Sequence, residues 1–104
     1  MFANNSWGWF NCGGSCSSYG KYDAFSKHYD LVVTGARGAP VGVVFGAGNE
    51  QNCIACQDSL PDFPYGTVSG PGATAKNVIS VGAVNAPDKS MTTFSAWGPW
   101  TTAV

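Results

Sequence analysis

Charge is the scarcest property of this chain of 104 residues: Asp, Glu, Lys and Arg make up 11% of it, and the formal net charge is −1. No Lys/Arg cluster stands anywhere in the sequence, so the basic footprint that nucleic acids require is missing and nucleic acid is excluded as an expected partner. Long apolar runs are missing too. None approaches the roughly 18–20 residues that cross a bilayer, and the N-terminus has no charged segment leading into an apolar one, so neither a membrane partner nor a signal peptide is expected. Met1 reads as a start inside a longer gene. Internal repeats and low-complexity tracts are lacking, and there is one histidine. With 44% apolar residues and little charge to cover them, some apolar surface is expected to stay bare.

What is abundant is glycine, with 14, alongside six prolines, so turns and loops occupy much of the backbone of a single domain over residues 1–104. Residues 2–9 suit a short strand running into a loop, and the Gly/Ser-rich residues 13–18 read as a flexible connection. Phe25, Tyr29, Val32, Val33 and Ala36 recur at three- and four-residue spacing, which predicts a core-facing helix over 22–36 with Asp23 at its start and Gly35, Gly38 and Pro40 at its end. Residues 41–47 form an apolar, β-branched run expected as a strand buried on both faces, and 78–84 repeats that pattern. The stretch 48–74 reads as a long loop, and 92–97 as a further short strand. Strand, helix, strand in this order implies a crossover onto a parallel sheet, hence an α/β fold: part of a three-layer plan with a short parallel sheet and one main crossover helix.

Four phrases stand in order along the chain: Asn4-Asn5-Ser6-Trp7-Gly8, Val43-Val-Phe-Gly-Ala-Gly-Asn-Glu50, Ser69-Gly-Pro-Gly-Ala-Thr-Ala-Lys-Asn-Val-Ile-Ser-Val-Gly-Ala83 and Phe94-Ser-Ala-Trp-Gly-Pro99. Together they resemble the subtilisin-like serine peptidases, over the central part of that family's catalytic domain. The resemblance implies that Ser6, Trp7 and Gly8 pair with an extended peptide substrate and form one wall of its primary specificity pocket. It implies that Gly46, Ala47 and Gly48 form the opposite wall, and that the side-chain amide of Asn49 donates to the oxyanion. Such a preorganised donor is worth about 10²–10³ in rate. The family's Asp and His lie before the first phrase and its nucleophilic Ser beyond the last, so a Ser-His-Asp triad is not expected here. His28 sits in the predicted helix without the family's surroundings and is expected as a solvated or locally paired helix position. Residues 100–104 depart from the family pattern.

A plainer reading of the same motifs is open beside this one: the glycines mark close packing in a parallel α/β core, and Asn49 satisfies backbone groups in a turn.

The four cysteines, Cys12, Cys16, Cys53 and Cys56, form a C-x₃-C and a C-x₂-C pair on loops that follow strands, so both pairs fall at one end of a parallel sheet. Disulfides would staple a small domain and suit the extracellular habit of the family; a tetrathiolate zinc site would suit the short paired spacings. Zinc is thus the alternative to having no cofactor. Three functions stand open: a cleft-bearing, non-proteolytic segment of a subtilisin-like endopeptidase whose parent is secreted, a four-cysteine zinc protein acting on esters or phosphoesters, and a structural self-associating module. Bare apolar strands predict a homo-oligomer in each case.

Overall fold

Three strands and one helix order the computed structural model, which describes residues 1–10, 12–14, 16–60 and 63–98. Strand β1 spans Phe2–Asn5, helix α1 Ala24–Val33, strand β2 Gly42–Gly46 and strand β3 Ile79–Val81. The sheet is three-stranded in the order β1-β2-β3, and both pairings are parallel. A parallel neighbour needs a crossover, and α1 supplies the one between β1 and β2. The α/β class, the parallel sheet and the single crossover helix therefore stand as read from sequence.

The elements are shorter than expected, each for a local reason. The helix starts two residues later than predicted because Asp23 caps it rather than joining it: its carboxylate accepts from the Ser26 N–H at 2.9 Å while the Ser26 hydroxyl accepts from the Asp23 N–H at 3.3 Å. The end comes at Thr34, after which Gly35 turns to φ +81° and sends its N–H to Val32 O. Strand β1 stops at Asn5, and the predicted 78–84 strand keeps only Ile79–Val81. No strand forms over the described part of 92–97. Trp97 makes an isolated bridge with Tyr65 instead, and Met91, just ahead of this stretch, makes one with Val84.

Alternation decides which strand residues are inside. Val43 and Phe45 of β2 are buried and point at α1, where Tyr29, Val32 and Val33 pack on them together with Val68, Ala73 and Val78. Phe45 is the centre of this core, fully enclosed, with the Tyr29 ring 4.9 Å and the Trp7 ring 5.4 Å away. The predicted burial of both strand faces does not hold. Val44 is half-buried and β3 is exposed throughout, because among the described residues a helical layer covers one face of the sheet. Phe25 also leaves the predicted core stripe: it is 60% exposed and meets the edge of Trp9 instead.

Two polar residues replace Phe25 on the inner face of the helix. The Ser26 hydroxyl lies 2.8 Å from that of Thr74, and Asp30 accepts from the Tyr22 hydroxyl at 2.7 Å and from the Asn77 backbone and side-chain N–H groups at 2.7 and 3.1 Å. Buried polar atoms are tolerated when satisfied in this way. Thr74 ends the expected long loop, and that stretch is not a surface loop: residues 67–74 are all buried. Its backbone is satisfied strand-fashion by its neighbours, with Gly20 N–H donating to Val68 O, Ser69 N–H to Ala47 O and Trp9 N–H to Gly70 O. Gly72 lets this segment cross directly over the Phe45 ring, in space that a Cβ would occupy.

Candidate functional site

Parallel strands bring their C-terminal ends to one side of a sheet, and the segments that leave them there form the natural walls of a site. Here β1 ends at Asn5, β2 at Gly46 and β3 at Val81. The residues that follow these ends, joined by Ser69, enclose a cleft of about 520 Å³. Ser6, Trp7, Gly8 and Phe10 line one side, Gly46, Ala47, Gly48, Asn49 and Glu50 the other, and Val81, Gly82 and Ala83 complete it. Every wall residue expected from sequence, Ser6, Trp7, Gly8, Gly46, Ala47 and Gly48, is therefore in the same cleft, and so is Asn49. The stretch 6–8 is not itself part of β1; it follows the strand without regular secondary structure.

Close backbone approaches build the floor. Gly8 lies against Ser69 and Gly70, where a Cβ would come within 3.1 Å of the Ser69 Cβ. Gly48 sits at φ +111°, a conformation that disfavours side chains, and a Cβ there would strike the Ser69 hydroxyl and the Glu50 carboxylate. The carbonyl of Gly48 accepts from Ala96 N–H at 3.0 Å, and the N–H of Ala47 donates to Val81 O at 2.9 Å, so this turn is fastened on two sides.

Glu50 is the residue whose part was not read from sequence. It is buried and is the charged residue among those lining the cleft. One carboxylate oxygen, Oε2, accepts from the Asn49 backbone N–H at 2.8 Å and from the Ser69 hydroxyl. A carboxylate gains from such donors while it stays charged, and here it joins two cleft segments through a single atom. The signal available in the sequence was an acidic residue set directly after Gly-Ala-Gly-Asn in an otherwise uncharged run.

Asn49 is exposed, and its side chain makes no hydrogen bond among the described residues, so the turn is held by Glu50 and not by the Asn49 amide. Trp7 is 53% exposed: its ring rests on Phe45 and its indole N–H donates to the Asn5 side chain at 3.3 Å. His28 stands apart, exposed on the outer side of α1 in a shallow depression with Phe25, Leu31 and Arg37.

The cysteines tie the two walls together. Cys12 bonds Cys53 and Cys16 bonds Cys56, with Cα–Cα distances of 5.8 and 5.4 Å. Both bridges run from the loop after β1 to the loop after β2. Each closes a long loop, a constraint worth about 2–5 kcal/mol in small domains. The connection 13–18, expected to be flexible, holds a 3-10 turn at Cys16–Ser18 among its described residues, and Tyr19 packs with Cys16, Cys53 and Cys56 in a second small core. The four sulfurs that a metal would need are occupied by these bonds.

Residues 100–104, read as departing from the family pattern, lie outside the described residues. Against known proteins, a model of the Subtilase family matches residues 1–103. No curated protein and no solved structure matches. With a parallel sheet, its crossover helix and a cleft at the strand ends in place, and the family match running over nearly the whole length, the chain belongs to the subtilase family, whose members are serine peptidases.

Proposed function

We propose that this chain is the substrate-cleft segment of a subtilisin-like serine endopeptidase. An extended peptide lies between the Ser6–Trp7–Gly8 wall and the Gly46–Ala47–Gly48 wall, and the Asn49 amide faces the carbonyl oxygen where negative charge develops. The observation that carries this reading is the convergence of all these residues on one cleft at the C-terminal ends of three parallel strands. Two details support it. The Asn49 side chain is not consumed by its own turn, and the Gly48–Asn49 segment is fastened by the Glu50 carboxylate, which suits a donor that must be preorganised rather than recruited. The lone histidine, His28, stands outside the cleft, and the Ser69 hydroxyl is paired with a carboxylate and no imidazole. An oxyanion donor without nucleophile and base is not a mechanism, so the chain by itself binds peptide and does not cleave it. Two disulfides fit an oxidising compartment and so a secreted parent. The open sheet face supports self-association.

Two measurements test this. Casein and extended peptides should survive incubation with the chain; cleavage that an active-site serine reagent abolishes would sink the non-proteolytic reading. In a heteronuclear NMR titration with an extended peptide, the amides of Trp7, Gly8, Gly48 and Asn49 should shift together, and shifts confined to other surfaces would sink the cleft.

A further inference from the structure

The two disulfides lie against each other. The sulfurs of Cys53 and Cys56, which are not bonded to one another, are 3.4 Å apart, with Cys56 closing the 3-10 turn Ile54–Cys56 and Cys53 standing just ahead of it. Cys16 joins them so that the three sulfurs all lie within 4.8 Å of one another, and all three residues are buried. The fourth sulfur, from Cys12, is bonded to Cys53, and Cys12 is exposed. In a tetrahedral thiolate site with metal–sulfur distances of about 2.3 Å, neighbouring sulfurs stand about 3.8 Å apart. The C-x₂-C turn already holds its two sulfurs near that spacing and on one side of the chain, which is the arrangement of a zinc knuckle. The partners on the opposite loop arrive with Cα atoms 5.8 and 5.4 Å away, close enough that side-chain rotation alone separates each bonded pair to the distance a shared cation needs.

We propose that Cys12, Cys16, Cys53 and Cys56 form a redox-gated site for a soft divalent cation, with zinc as the type case: two disulfides when oxidised, one tetrathiolate when reduced. Each bridge takes two electrons from an external reductant, and two protons. A dithiol supplies those protons itself and becomes a disulfide; with a phosphine they come from water, and the phosphine becomes the phosphine oxide. The two bridges together give four thiols. The cation then displaces four protons from those thiols and takes four thiolate ligands. Exposed Cys12 is where the reductant enters, and Tyr19, Leu60 and Phe63, which pack around the three buried cysteines, supply the apolar shell that favours neutralising thiolates on a cation. The two loops stay joined in either state, so the walls of the cleft keep their spacing while the link changes from covalent to coordinate. In an oxidising compartment the bridges persist; where thiols are kept reduced, the cation form replaces them. This inference does not depend on the peptide reading of the cleft.

The test uses the full chain reduced anaerobically with a phosphine, freed of reductant and titrated with Co²⁺, then Zn²⁺. The expected result is one cation per chain, a thiolate-to-cobalt absorption band that zinc abolishes, and all four cysteines shielded from an aromatic disulfide reagent. If reduction unfolds the chain, zinc should restore its far-ultraviolet circular dichroism, and a chain that stays unfolded with zinc overturns the proposal. So does a cation lost on desalting, or one that shields Cys53 and Cys56 alone. Cys12→Ser, which leaves the clustered three sulfurs, should still bind but with clearly lower affinity; unchanged affinity also overturns the four-ligand site.

Discussion

The two faces of the sheet are built from the same kind of residue and meet opposite fates. On one face Val43 and Phe45 are buried under α1 and the segment 67–75. On the other, strand register puts Phe2, Val44, Ile79 and Val81 together, and Phe2, Ile79 and Val81 are 78%, 58% and 50% exposed. Apolar residues in a parallel strand state that both faces want cover; whether each is covered depends on the elements that pack on it. The contrast separates what a strand pattern encodes from what its surroundings provide, and it can be broken from either side.

The largest effect belongs to the covered face. Phe45→Ala removes a fully enclosed ring that touches Trp7 and Tyr29 and sits beneath Gly72, so it should cost about 3–5 kcal/mol. Thermal or urea unfolding measures this. A loss below about 1 kcal/mol would show that the covered face is no better packed than the open one.

A smaller effect tests what fastens the cover. Asp30 holds α1 to Asn77, just ahead of β3, and accepts the Tyr22 hydroxyl. That hydrogen bond, with some burial and the nearby carboxylate charge, pushes the Tyr22 pKa up to about 12 from 10.0. A group whose pKa is raised on folding contributes stability that is fully present below its unfolded value and lost as pH rises through the folded one. The Tyr22–Asp30 link should therefore hold below pH 10 and weaken between about pH 10 and 12. Asp30→Asn should return Tyr22 toward pH 10 in an ultraviolet tyrosinate titration, flatten the alkaline stability loss, and cost about 1–3 kcal/mol at neutral pH. An unmoved Tyr22 titration would mean that Asp30 does not set it.

How far this was legible follows the same division. Strand and helix positions showed in the sequence because apolar period and the Asp23, Gly35 and Pro40 punctuation are local signals. The cleft residues showed because Ser6-Trp7-Gly8 and Gly46-Ala47-Gly48-Asn49 stand in phrases that resemble the subtilisin-like peptidases, and the structure then gathers them at the ends of parallel strands. Hidden were features set by partners distant in sequence. Ser26 and Asp30 look like surface residues until Thr74 and Asn77 meet them. Residues 67–74 look like loop until the neighbouring backbones satisfy them, and Glu50 looks solvated until Ser69 and the Asn49 N–H converge on it. The cysteines could be placed at one end of the sheet, but spacing alone did not choose their pairing.

The smallest effect on stability, and the sharpest test of the contrast, concerns the open face. Ile79 is exposed on an edge strand whose outer backbone groups find no further strand among the described residues, and Phe2 is exposed on the opposite edge strand. Replacing Ile79 by Lys removes little buried area, so unfolding free energy should change by no more than about 0.5 kcal/mol. Association should respond strongly, because a charge set on the apolar face must be desolvated whenever a second copy covers it. Light scattering across a concentration series should show the wild-type chain passing from monomer to a closed dimer, the commonest symmetric solution, and Ile79→Lys remaining monomeric at concentrations where the wild type has dimerised. A wild-type chain that is monomeric throughout would mean that an apolar sheet face of this size is tolerated in water. A dimer indifferent to Ile79→Lys would place the interface elsewhere, and the open face would then have no part in assembly.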